Sequence, residues 1–191
     1  MSRLLREAAD TLRNISDSSY PATVEGAVDL LEKAFREGRT LLAFGNGGSS
    51  ADAQHLCAEL VGRFLLDRRP LPAVALTTNQ ALLTAWSNDC RFDDIFARQV
   101  EGLGRPGDVA WGISTSGNSP NVVNGLRRAR ELGLRTIGLS GSEGGRMAEH
   151  CDVLMAVPLR QTPRIQEVHL VTFHAICGAL EERLFGQRSV S

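Results

Sequence analysis

Apolar positions follow a helical period over the first 38 residues and then collapse into short continuous runs separated by glycine and small polar residues. Leu5, Ala8, Leu12 and Ile15 recur on one helical face, and Val24, Ala27, Val28, Leu31 and Phe35 on another, with Gly38 placed to end the second helix. The runs that follow are "LLAF" at 41–44, "PAVAL" at 72–76, "VAWGI" at 109–113, "RTIGL" at 135–139 and "DVLMAVP" at 152–158. Each is short and bounded by glycine, proline or polar residues, which predicts buried strands of a parallel sheet. A helix is expected through His55 and Glu59, another from Ala81 to about Trp86, one opening at Pro120 and a long last one from about Pro163 to Leu184. Strand, small-residue loop and helix thus repeat, which implies right-handed crossovers and an α/β fold. The expected architecture is a three-layer, doubly wound, five-stranded parallel sheet flanked by helices, with ligands at the carboxyl ends of the strands. The 191 residues are expected to form one domain, with 1–38 as an N-terminal helical segment packing against the sheet or another subunit and 39–191 as the α/β core.

Composition narrows the function classes. Twenty-one basic and 22 acidic side chains nearly cancel, to a formal −1, so there is no electrostatic footprint for direct nucleic-acid binding or for an anionic membrane. Lys33 is the one lysine and lies in a polar stretch of an amphipathic helix, which argues against Schiff-base chemistry. Cys57, Cys90, Cys151 and Cys177 are widely spaced, with no CxxC pair, and read as small buried hydrophobes of a reducing compartment. No apolar stretch reaches the roughly 20 residues that span a bilayer. The expectation is a soluble, cytoplasmic protein.

Two small-residue turns and one helical pair carry the candidate chemistry. In "GNGGSS" at 45–50, glycines let the backbone approach a ligand, and Ser49 or Ser50 can cap the helix that follows. The turn lacks a P-loop lysine, and Ser50 stands where a dinucleotide loop has its third glycine. "STSGNS" at 114–119 sets four hydroxyls beside free amides at an expected helix start, suited to a phosphate monoester. His55 and Glu59 are i, i+4 neighbours on one helical face. Burial near Leu56 and Leu60 would retune both for proton transfer, and the pair also suits part of a zinc site. His169 and His174 point about 140° apart on the last helix, so they cannot serve one site together. Periodicity does not choose between them. His174, among Phe173, Ala175 and Ile176, reads as a core histidine, and His169 as a surface or interface residue.

Taken together, "FGNGGSS", "AQHLCAEL", "RRPLPAVAL", "SNDCRFDDIF", "GDVAWGISTSGNSPNVV" and "RIQEVHLVTFH" resemble sugar isomerase (SIS) domain proteins over nearly the whole chain, and within them the phosphoheptose isomerases. The resemblance implies the SIS fold, with N-terminal helices for oligomerisation. It also implies a ketose to aldose isomerisation of sedoheptulose 7-phosphate to D-glycero-D-manno-heptose 7-phosphate, for cell-envelope sugars such as lipopolysaccharide precursors. Carried over by motif, Ser49, Ser114, Thr115, Ser116 and Ser119 would hold the phosphate, and Asn46, Gly47, Gly48, Asn88, Asp89 and Gln166 would line the sugar. His55, Glu59, Gln166 and His174 would bind one zinc ion per subunit. Glu59 and His174 would be the acid/base pair, with Glu59 also touching substrate. A homotetramer with sites at subunit interfaces is expected. Gln166 and His174 lie about 12 Å apart along one helix, near the limit for sharing an ion, which a bend or a neighbouring subunit would relieve.

Asn79 stands where many relatives carry Asp, and Ser87 where glycine often precedes the "ND" pair. Two non-enzymatic alternatives share this fold: a replication-initiator-associating protein-binding module and a sugar-phosphate-sensing domain. The first lacks the acid/base pair that Glu59 and His174 supply here. The second is usually attached to a DNA-binding segment, and none is recognisable in this sequence.

Overall fold

The computed structural model describes residues 1–186; residues 187–191, the end of the expected core segment, lie outside the described residues. Two helices, α1 (Ser2–Ser16) and α2 (Tyr20–Arg36), precede the first strand, β1 (Leu41–Gly45). The chain continues through α3 (Gly48–Val61), β2 (Ala73–Ala75), α4 (Gln80–Asp89), α5 (Ile95–Leu103), β3 (Val109–Ser114) and α6 (Pro120–Glu131). It ends with β4 (Arg135–Ser140), β5 (Val153–Ala156) and α7 (Thr162–Phe185). The strands form one sheet in the order β2-β1-β3-β4-β5, every pair parallel. The expected doubly wound, five-stranded α/β fold is the one observed.

The runs of β1 and β3 are continuously apolar because both faces of the sheet are covered there. Leu41, Ala43, Val109, Trp111, Ile113, Ile137 and Leu139 point into a core shared with α2, α3 and α7. Leu42, Phe44 and Ala110 point the other way, against α5 and α6. The period of two therefore survives inside runs that look uniform in the sequence. Gly112 of β3 lets α6 approach, since a Cβ there would come within 2.9 Å of Val122 and Leu126. Ala27, Val28, Leu31 and Phe35 of α2 are buried in the same core as the strands, so this helix packs on the sheet itself.

Two elements differ from the sequence expectation. Helix α4 runs on to Asp89, and α5 was not anticipated. Ile95, Phe96, Gln99 and Val100 have helical spacing and are buried, but Gly102 and Gly104 close the segment after nine residues, too few for the period to stand out. From β1 the chain crosses to β2 on one side and then returns to β3 on the other, so the switch point of the fold lies between the carboxyl ends of β1 and β3.

Candidate active site

The turn after β1 is built from glycine contacts. A Cβ on Gly45 would come within 2.8 Å of both the Ser49 and Ile113 carbonyl oxygens, and Gly47 takes a positive φ of 55°. Helix α3 begins at Gly48 with Gly47 as its cap residue. Its carbonyl accepts from the Ser50 and Ala51 amides, and neither Ser49 nor Ser50 caps the helix with its side chain. The expected serine cap is thus replaced by a glycine turn, because the helix starts one residue before the serines and carries Ser49 inward, where it is buried.

Helices α3 and α7 lie side by side and run in the same direction. Gln166 packs on Gly48, His174 lies against His55 with ring centroids 5.0 Å apart, and the Glu181 carboxylate accepts from the Phe64, Leu65 and Leu66 amides beyond the end of α3. This alignment brings His174 to the i, i+4 pair. His55 Nε2 is 3.0 Å from Glu59 Oε1 and 3.5 Å from His174 Nε2, and one donor atom from each residue lies within 4.8 Å of the others. Phe173 meets His55 edge-on and Phe64 stacks on His174, which limits both rings' freedom. The pair is less buried than Leu56 and Leu60 suggested: the side chains of His55 and Glu59 are 42% and 22% exposed, because this face of α3 opens to the site. Two imidazole nitrogens and a carboxylate oxygen facing one point match the donor set of a zinc site that keeps a position open.

The histidines of α7 exchange the roles expected from their neighbours. His169 is fully buried, and since the Ser140 carbonyl at 3.1 Å can only accept, its Nε2 carries the proton. Burial pushes its imidazole down to about 4, partly opposed by that hydrogen bond. His174 is half-buried at the cluster. Both histidines have apolar neighbours in sequence, so only the direction each faces on the helix separates them.

The second turn leads from β3 into α6. Ser114 Oγ lies 3.0 Å from Ser119 Oγ and 3.5 Å from Ser116 Oγ, and Ser116 Oγ accepts from the Asn118 amide. Gly117, at φ 65°, packs so tightly on the Gly144 carbonyl that a Cβ would overlap it. Thr115 and Gly117 carbonyls accept from the Gly141 and Met147 amides, so the following β4 loop buttresses the turn. Thr115 and Ser116 also line a cavity of about 250 Å³ with Ser142 and Arg160.

Asn46 exchanges two hydrogen bonds with Asn121 of α6, a residue the sequence reading did not single out. Asp52, one turn before His55 on α3, was also missed. Burial raises its carboxyl above the usual range, opposed by His55, and one of its oxygens is shut from solvent without a partner. Asn88 and Asp89 end α4, exposed, and hydrogen-bond each other at 2.8 Å and no other candidate residue. Both departures from the family pattern have local roles. Asn79 caps α4 by accepting from the Leu82 amide, as an aspartate would, and Ser87 donates to the Leu83 carbonyl.

A family model described as SIS domain matches residues 4–141. A phosphoheptose isomerase from Synechocystis sp. is 50% identical over 190 residues, covering 100% of this chain and 98% of that protein. Another from Geotalea daltonii is 57% identical over 165 residues, 86% of each. The solved structure of a phosphoheptose isomerase from Neisseria gonorrhoeae superposes with a TM-score of 0.89 at 40% identity, covering 95% of this chain and 96% of that one. The chain belongs to the SIS domain family, and within it to the phosphoheptose isomerases.

Proposed function

We propose that this chain isomerises sedoheptulose 7-phosphate to D-glycero-D-manno-heptose 7-phosphate, a ketose to aldose conversion through an enediol. The observation that carries the reading is the meeting of His55, Glu59 and His174, which a purely protein-binding or sensing SIS domain has no need to assemble. Moving the carbonyl from C2 to C1 requires one group to take a proton from the carbon beside it and another to protonate its oxygen. Glu59 and His174 would make these transfers, their roles reversing when the second carbon is reprotonated. His55, Glu59 and His174 would hold zinc, which when bound polarises the carbonyl and steadies negative charge on its oxygen. Gln166 lies against Gly48, about two turns along α7 from His174, which favours a seat for the sugar; its place as a fourth ligand rests on the family resemblance.

The hydroxyls of Ser114, Thr115, Ser116 and Ser119, with the amides opening α6, would take the phosphate, with Ser49 assisting. Asn46, Gly47 and Gly48 would line the sugar from the β1 side. Asn88 and Asp89 are exposed at the end of α4 and would reach the sugar from a neighbouring subunit or on closure. An apolar groove of about 640 Å³ lined by α1, α2 and α7, Val171 among them, supports burial of this face against another subunit, and the homotetramer of single-domain chains rests on the family resemblance. No helix among the described residues is long and apolar enough to cross a membrane, in keeping with a cytoplasmic enzyme of heptose biosynthesis.

The test is incubation of purified protein with sedoheptulose 7-phosphate, with and without added zinc, followed by NMR. Appearance of the aldose is expected. No turnover under either condition would sink the reading.

A further inference from the structure

Asn46 lies in the turn after β1 and Asn121 in the first turn of α6, 75 positions later, and their amides form a reciprocal pair. Asn46 Nδ2 donates to Asn121 Oδ1 and Asn121 Nδ2 donates to Asn46 Oδ1, each at 2.8 Å. A third bond decides which way round both amides sit. The backbone N–H of Val122 donates to Asn121 Oδ1 at 2.9 Å, so that atom must be the oxygen, and the reciprocal pair then dictates the identity of each atom on Asn46. Asn46 therefore has one N–H and one of the two lone pairs of Oδ1 committed, and keeps one N–H and one lone pair for other partners.

The pair bridges the carboxyl ends of β1 and β3, the neighbouring strands between which the order of the sheet reverses and where ligands of such sheets bind. On one side stand Gly47 and Gly48, on the other the serines at 114, 116 and 119. Among the described residues no other side-chain hydrogen bond joins these two turns. Asn121 is 1% exposed and both of its side-chain polar atoms are engaged within the protein, so it acts through what it holds.

We infer that Asn121 is a positioning residue of the sugar-phosphate site: its amide clasps Asn46 so that the β1 turn and the phosphate turn keep a set spacing, and it fixes the orientation in which the Asn46 amide meets the ligand. The inference takes the identity of the ligand from the isomerase reading. The clasp is separate from the His55–Glu59–His174 cluster, so its loss weakens ligand binding and spares the metal.

The experiment is a double-mutant cycle on the full-length protein with Asn121→Ala, Asn46→Ala and the pair, reading KM for sedoheptulose 7-phosphate, kcat and zinc affinity. Asn121→Ala is expected to raise KM about tenfold, with kcat within about threefold and zinc affinity unchanged. Asn46→Ala should raise KM at least as much, and the double variant no further, because the clasp is already open. KM increases that multiply in the double variant would overturn the inference, as would parallel loss of kcat and zinc affinity in Asn121→Ala. If Asn121→Ala does not fold, Asn121→Asp serves the same cycle. Its carboxylate still accepts from Val122 and Asn46 but sets an acceptor against Asn46 Oδ1, and a KM equal to wild type would overturn the inference. Wild-type protein that neither binds nor converts the sugar phosphate would defeat the isomerase reading and the inference with it; an active wild type with independent effects defeats the inference alone.

Discussion

The serine turn at 114–119 draws its hydroxyls from six consecutive residues, whereas the His55–Glu59–His174 cluster joins side chains 119 positions apart. The turn holds its own shape through bonds among Ser114, Ser116, Asn118 and Ser119, and through Gly117 seated on the β4 loop. In the cluster only the His55–Glu59 pair is local, and His174 joins it from the far end of the chain. The cluster exists because α3 and α7 run in parallel, pinned at one end by Gln166 on Gly48 and at the other by Glu181 under the Phe64–Leu66 amides. Glu181 also pairs with Arg68 at 2.9 Å in a site where both side chains are almost wholly buried, and Arg68 donates onward to the Glu59 carbonyl. On the proposed reading, binding chemistry is thus written into a loop, and reactive chemistry into the packing of two helices.

The sharpest way to break this contrast is to remove the reacting groups. Glu59→Gln and His174→Asn are each expected to lower turnover at least about a hundredfold, since each removes a group proposed both for proton transfer and for the metal. Steady-state kinetics with the oligomer checked by size exclusion decides this, and near-normal rates in either variant would show that the roles are misassigned. Next in size is the metal. Chelation should abolish turnover, zinc should restore it, and His55→Ala should weaken zinc binding at least about tenfold by calorimetry, since it removes one of three converging donors.

A smaller and opposite pattern is expected from the serine turn. Ser114→Ala or Ser119→Ala should raise KM about tenfold with little change in kcat, the loss of binding shared by ground and transition states. Equal losses in kcat would merge the two regions that the comparison separates. The least effect on the site comes from His169, which belongs to neither region. Its imidazole is held near 4 when folded and titrates near about 6.5 when unfolded, so the unfolded state binds the extra proton first. Stability from this group is present above about 6.5 and is lost as pH falls toward 4, by about 2 kcal/mol between pH 7 and 5. Urea unfolding at the two pH values should show a shallower loss for His169→Gln than for wild type, with KM and kcat at neutral pH unaffected.

Much of this was legible in the chain because it depends on neighbours in sequence. The five strand runs, the helical faces of α1 and α2 and the hydroxyl-rich turn before Pro120 are local patterns, and each proved to be the element its period or composition implied. The nine residues of α5 were missed because a helix that short carries barely two turns of signal. The serine cap on α3 failed for a related reason. One residue of register, set by Gly47 adopting a left-handed conformation, turns a capping serine into a buried one.

Packing decided the rest. Asn121 has no local mark that distinguishes it from any polar residue in a first helical turn, and its partner Asn46 is recognised only once β1 and β3 are neighbours. Likewise, no property of the segments around His169 and His174 says which faces β4 and which faces α3; that follows from how α7 is rotated against the sheet. By itself, then, the sequence determined the layers of the fold, the hydroxyl-rich turn at 114–119 and the i, i+4 pair, because these arise from periodicity and bonds within a few residues. Periodicity left His169 and His174 open and the family resemblance named His174, but only the tertiary structure joined it to His55 and Glu59 and clasped Asn46 to Asn121, because both need the relative placement of elements far apart in the chain.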